Sequence, residues 1–139
     1  MPNKPVVLID LNILLDVLQK REPYYETSAQ LLASIETGRV KGYVAAHSIT
    51  TLFYLIKKDR SSAEARAMIT NLLQFIKIAS IDQGTLEQAL NFDYRDYEDA
   101  VQMISAVQCK ADCLITRNGK DYQPALLPIL QPVEFLATL

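Results

Sequence analysis

Val6, Val7, Leu8 and Ile9 form an unbroken apolar run that ends on Asp10, with Asn12 two residues further on at an expected helix start. An apolar stretch this short with no polar alternation reads as a buried strand. Short apolar runs recur at 43–46, 77–80, 113–115 and 129–130, separated by segments whose apolar residues fall at helical spacing. Strands alternating with helices specify an α/β domain built on a parallel sheet of four to five strands. In such sheets the ligand crevice lies at the carboxyl edge of the strands, which is where Asp10 is delivered.

The helical segments have legible limits. Ile13, Leu14, Val17 and Leu18 share one face, and Glu22-Pro23 ends that helix before a second one with Ser28, Leu31, Leu32 and Ile35. Gly38 is placed to cap the second helix. Ile49, Leu52, Phe53 and Ile56 mark the next, which stops in the charged run Lys57, Lys58, Asp59, Arg60; Ser61 or Ser62 restarts a helix striped by Ala65, Met68, Ile69, Leu72 and Leu73. Residues 85–91 read as helical, and Tyr97, Ala100, Val101, Ile104 and Val107 form a last long stripe. Pro128 and Pro132 confine the final strand to a short edge segment, followed by a terminal turn of helix from Val133.

Length and charge narrow the function classes. At 139 residues and 50% hydrophobic, the chain matches a single domain over 1–139 with a substantial core. Fourteen basic against sixteen acidic residues give a formal charge of -2, so no overall basic field recruits nucleic acid or membrane. The absence of a signal-like opening and of an apolar stretch near the roughly 18 residues of a membrane helix leads us to expect a cytoplasmic protein without membrane contact. Cys109 and Cys113, with no second Cys or His cluster, are expected to be reduced core residues.

Polar residues at strand ends and helix starts fall into three stations: Asp10 with Asn12; Asp93, Asp96, Glu98 and Asp99; and Thr116, Arg117, Asn118 and Asp121. A parallel sheet can bring all three to one edge. Carboxylates forced together repel unless a cation compensates, and hard oxygen donors with room for water select Mg²⁺ or Mn²⁺. A metal so held polarises a phosphoryl oxygen and lowers the pKa of bound water, which is phosphate chemistry without a histidine. Each station also has a plainer use. Asn12 suits a helix N-cap, Asp96 through Asp99 has the spacing of a capping box, and Asn118-Gly119 is a common turn. His47 reads as a surface or capping residue, and Lys57, Lys58 and Arg60 as a solvated helix end.

Three motifs then carry a resemblance: the stretch 7–16 around Asp10, Asn12 and Asp16; the segment 97–102 with Glu98 and Asp99; and 114–122, containing Thr116, Arg117, Asn118, Gly119, Lys120, Asp121 and Tyr122. In order and spacing they resemble the PIN domain family, over essentially the whole chain. The resemblance implies a three-layer α/β/α sandwich and a Mg²⁺- or Mn²⁺-dependent ribonuclease. It also implies a homodimer, held inactive by a small antitoxin where the chain is the toxin of a type II pair. It casts Asp10 and Asp99 as acidic metal ligands, Asn118, where a further acid is frequent, as a catalytic residue completing the metal shell, and Asp121 as an additional carboxylate ligand at the rim. Asn12, Thr116 and Glu98 become supporting residues.

Two positions depart from the family pattern. Thr51 stands where a helix glutamate is common, and Asn118 replaces an aspartate, so two ligand charges are missing. Weak metal affinity is therefore expected, with substrate phosphate completing the coordination shell. Arg117 and Lys120 are expected to grip phosphates of the RNA. The alternative is a PIN fold with weakened catalysis that binds RNA or a protein. A haloacid-dehalogenase-type phosphatase would need an acid at Asn12, and a receiver domain would need an acidic pair at the first strand; neither is present.

Overall fold

A computed structural model describes residues 4–139. Five strands, β1 (Val6–Ile9), β2 (Lys41–Ala45), β3 (Lys77–Ala79), β4 (Cys113–Ile115) and β5 (Ile129–Leu130), form one sheet in the order β3-β2-β1-β4-β5. Every pairing is parallel. The helices are α1 (Leu11–Leu18), α2 (Tyr25–Glu36), α3 (Ala46–Asp59), α4 (Ser62–Leu72), α5 (Gln83–Ala89), α6 (Tyr97–Gln108) and α7 (Pro132–Leu136), with a 3₁₀ turn at Gly119–Asp121.

Strand alternation sorts the core into layers. Val7 and Ile9 of β1, with Cys113 and Ile115 of β4, enter a cluster with Ile13 and Leu14 (α1), Leu31 and Ile35 (α2), Leu52 (α3), Ile69 (α4) and Phe135 (α7). Leu8 and Leu114 point the other way, against Met103 and Ala106 of α6 and Tyr122. Both faces of the sheet are thus covered by helices, the three-layer α/β/α sandwich the sequence implies.

The boundaries show where local pattern is overruled. The first strand stops at Ile9, and β2 begins at Lys41, two residues before the apolar run, because Lys41 and Gly42 pair in register with Val6 and Val7. Leu73, Tyr97 and Val107, placed on core stripes by spacing, stand 45%, 42% and 43% exposed. Each lies at or within one residue of the end of its helix. Cys113 is buried and Cys109 half-buried, both as free thiols. Among the described residues no helix is long and apolar enough to cross a membrane.

What matters for the site is the reversal in strand order. The chain lays β2 and β3 on one side of β1, then returns to place β4 and β5 on the other. The carboxyl ends of β1 and β4 therefore flank the switch point of the sheet, the position where open α/β folds leave a crevice.

Candidate active site

Asp10 is the first residue beyond β1. Its backbone N–H continues the ladder to the Ile115 carbonyl at 3.0 Å, so it is held opposite the end of β4. The residue is the N-cap of α1, yet its side chain makes no capping bond. Its carboxylate instead accepts a hydrogen bond at Oδ2 from the fully buried Thr116 Oγ1, at 2.9 Å. Thr116 Oγ1 in turn accepts the Asn118 N–H at 3.1 Å. A buried carboxylate with one donor and no cap to satisfy is oriented rather than merely accommodated.

Asp99 arrives from α6. The capping box suggested by its spacing does not form: Asp96 caps the helix by accepting the Glu98 N–H at 2.8 Å, and Asp99 is left free of that duty. Instead it lines a small cavity of about 80 Å³ together with Asp10, Asn12, His47, Ser48, Thr51, Glu98, Gln102 and Tyr122. Burial pushes the Asp99 carboxyl up to about 6, and the charges of Asp96, Asp10 and Asp121 add to that, against a hydrogen bond from Tyr122. Carboxylates from β1 and α6 thus share one recess, and the Asp10 charge disfavours ionisation of Asp99.

The remaining candidates divide. Asn12 lines the cavity at the second position of α1, so it is not the N-cap its residue type suggested; its Oδ1 accepts from Arg21 Nη1 at 3.4 Å. Glu98 and Thr51 are on the cavity wall, and Thr51 offers only a hydroxyl, bonded to the His47 carbonyl at 3.3 Å. Asn118, whose N–H bonds the same Thr116 hydroxyl that holds Asp10, lines an adjoining cleft of about 400 Å³ with Thr116, Lys120, Gln131 and Glu134. Asp121, exposed on the 3₁₀ turn, is near enough to raise the Asp99 pKa but does not line the cavity.

Arg117 needs a correction. Expected to grip phosphate, it is committed to Asp16 through Nε at 2.9 Å and Nη2 at 3.0 Å, with its guanidinium carbon 3.7 Å from the centre of the Tyr24 ring. Asp16 is fully buried, and Ser28 Oγ donates to it as well at 3.3 Å. A buried charge needs such a partner, and the bidentate fork supplies it. His47 corrects the opposite way, for it lines the cavity with a buried, unpartnered Nδ1. Burial lowers its pKa while Glu98 pulls it upward.

Sequence reasoning placed Asp16, Gln102 and Tyr122 within its motifs but gave them no role. Asp16 did carry a signal, as an acid inside the apolar face of α1; Tyr122 and Gln102 look like ordinary helix and turn residues until the fold brings them together.

The donor set suits a hard divalent cation better than any softer one. Asp10 and Asp99 supply carboxylate oxygens and Asn12 an amide oxygen, while the raised Asp99 pKa reflects burial and the negative charge of neighbouring carboxylates. Among the described residues, no three His, Cys, Asp or Glu side chains are grouped into a ready-made metal cage. Mg²⁺ commonly binds with one or two carboxylates and keeps water and phosphate for its other positions.

Comparison with solved structures gives the same architecture. The fold is similar to a toxin–antitoxin complex from Klebsiella pneumoniae at 22% identity (TM-score 0.68, covering 91% of this chain and 97% of that one). It is similar to VapC20 of Mycobacterium tuberculosis, described as a sarcin-ricin loop cleaving toxin, at 15% identity (TM-score 0.63, 78% and 86%). It is also similar to VapBC2 of Rickettsia felis bound to a promoter DNA fragment, at 14% identity (TM-score 0.63, 91% and 97%). No curated protein matches the sequence. A family model, that of the PIN domain, matches residues 6–120. With that match spanning most of the chain, and with the acids of β1 and α6 meeting at the switch point of its sheet, the protein belongs to the PIN domain family.

Proposed function

We propose that this protein is a Mg²⁺- or Mn²⁺-dependent endoribonuclease acting in the cytoplasm as the toxin of a type II toxin–antitoxin pair. One observation carries the reading: Asp10 and Asp99 line a single recess in which burial and neighbouring carboxylates raise the Asp99 pKa to about 6. Membership of the PIN family supports it, as does likeness in fold to proteins described as toxins and toxin–antitoxin complexes. In this reading Asp10 and Asp99 hold the ion, Asn12 lies beside them, and Glu98 and Asp121 add negative potential at the rim. A divalent cation supplies Lewis acidity toward the phosphodiester and activates water at neutral pH. Thr116 holds the Asp10 carboxylate in place. Asn118 and Lys120, on the adjoining cleft, meet the RNA strand as it leaves the recess, Lys120 as a point charge toward phosphate. A small antitoxin partner and a homodimer complete the proposal.

The test is cleavage of a structured RNA with Mn²⁺, comparing wild type with Asp10→Asn and Asp99→Asn. Both variants are expected to fall to background while circular dichroism shows an intact fold; activity retained in both overturns the assignment. A second reading, a PIN fold that binds RNA or protein without cutting, is favoured by Thr51, which puts a neutral hydroxyl on the cavity wall. Mn²⁺ titration producing neither thermal stabilisation nor cleavage would favour it.

A further inference from the structure

The cleft that Asn118 lines is half of a longer one. A second cavity, of about 390 Å³, is lined by Tyr24, Thr27 and Pro132, and Arg117, Asn118 and Gln131 belong to the walls of both. Those three side chains therefore stand at the middle of one continuous cleft. Thr116, whose hydroxyl holds Asp10, lies on its wall, so the cleft begins beside the acidic recess. Each half is within the size range of small-ligand sites.

Charge decides what kind of group fits there. Among the described residues that line the cleft, Arg117, Lys120 and Glu134 carry charge. Buried Asp16 takes the Nε and Nη2 hydrogens of Arg117 at 2.9 and 3.0 Å and offsets the guanidinium charge. Lys120 and Glu134 are of opposite sign. The middle of the cleft thus offers a phosphate no unspent cation and suits a neutral polar group.

Arg117 still keeps an edge for recognition. Its plane is fixed by the two bonds to Asp16 and by the Tyr24 ring, whose centre lies 3.7 Å from the guanidinium carbon. Those bonds use Nε and Nη2 and leave the two N–H groups of Nη1 for another acceptor. Asn118 and Gln131, both exposed, add side-chain amides that donate and accept. A fixed planar donor flanked by two amides matches the edge of a nucleobase, which presents donors and acceptors in one plane. Proteins that recognise RNA read unstacked bases with such groups.

We propose that this cleft is a base-reading subsite, in which Arg117 Nη1 and the amides of Asn118 and Gln131 hydrogen-bond the edge of one unstacked RNA base next to the recess. The proposal rests on reading the protein as a ribonuclease and adds where sequence preference resides. Asp16 and Tyr24 turn Arg117 from a phosphate clamp into a fixed donor edge, and phosphate is left to Lys120.

The experiment is fluorescence anisotropy with metal-free protein, so that no strand is cut. The probes are short RNA strands that are abasic except for a single adenine, cytosine, guanine or uracil, with a wholly abasic strand as control. Wild type should bind at least one base-bearing probe about 10-fold more tightly than the abasic strand. Asn118→Ala and Gln131→Ala, with folding confirmed by circular dichroism, should each cut that advantage by about 5-fold or more. Lys120→Ala should instead weaken every probe in the same proportion, the abasic strand included. Base-bearing and abasic probes binding alike in the wild type overturns the subsite and leaves the ribonuclease reading standing, because the backbone is still held. A base advantage untouched in both amide variants also overturns it. No binding by any probe overturns the subsite together with the RNA reading.

Discussion

An ionised carboxylate is less stable beside other carboxylates, away from bulk water, than it is in an unfolded chain. Asp99 shows the consequence, raised from 3.8 to about 6 chiefly by burial and then by Asp96, Asp10 and Asp121. Between pH values of about 4 and 6, the folded protein therefore keeps a proton that the unfolded chain has already released, so metal-free stability falls as pH rises through that window. Above it both states are ionised and the penalty persists. Thermal melts of the metal-free protein should find Asp99→Asn more stable than wild type at pH 7, with the difference shrinking as the pH is lowered toward about 4. Wild-type Mn²⁺ affinity should move the other way, climbing through about pH 6 as protons stop competing for the same oxygens. At this scale the sequence was half-legible. Asp10 announced itself by ending an apolar strand, whereas Asp99 could equally have closed a capping box, and only the real cap at Asp96 frees it for the cavity.

Elements were read more securely than their edges. The glycine stop of α2 is a full Schellman turn: Gly38 has φ of 84°, its N–H reaches the Ile35 carbonyl at 3.1 Å, and the Arg39 N–H reaches Ser34 at 2.9 Å. At the far end Pro132 opens α7 at the position where its missing N–H costs nothing. What spacing could not reveal is how closely elements approach. Gly42 lies in β2 under α2, and a Cβ there would sit 2.5 Å from Ile35 Cδ1, inside contact distance. Gly42→Ala should therefore destabilise the protein by about 1–3 kcal/mol in urea denaturation, as overpacking does elsewhere. Adding Ile35→Val, which removes that methyl, should recover part of the loss; a Gly42→Ala variant as stable as wild type would mean that α2 can lift off β2 freely.

Across the whole molecule, the salt bridge between Asp16 and Arg117 ties the first helix to the turn after β4, residues 101 apart in sequence. Because Asp16 is fully buried and the Arg117 side chain only 20% exposed, the pair is sensitive to losing one member. Asp16→Leu, which strands the guanidinium, should cost about 3–5 kcal/mol by urea unfolding, and the double change with Arg117→Met should regain most of it. Sequence alone determined the α/β class, the parallel sheet, the identity of Asp10 as a strand-end acid and the lack of any basic field, since these follow from local periodicity and composition. Tertiary structure decided which acids meet, that Arg117 serves Asp16, that Asn118 lines the neighbouring cleft, and that Tyr122 joins Asp99 on the cavity wall. The physical reason is range: periodicity reports which face of an element is buried, while a site depends on register and strand order, set by packing between segments a hundred residues apart.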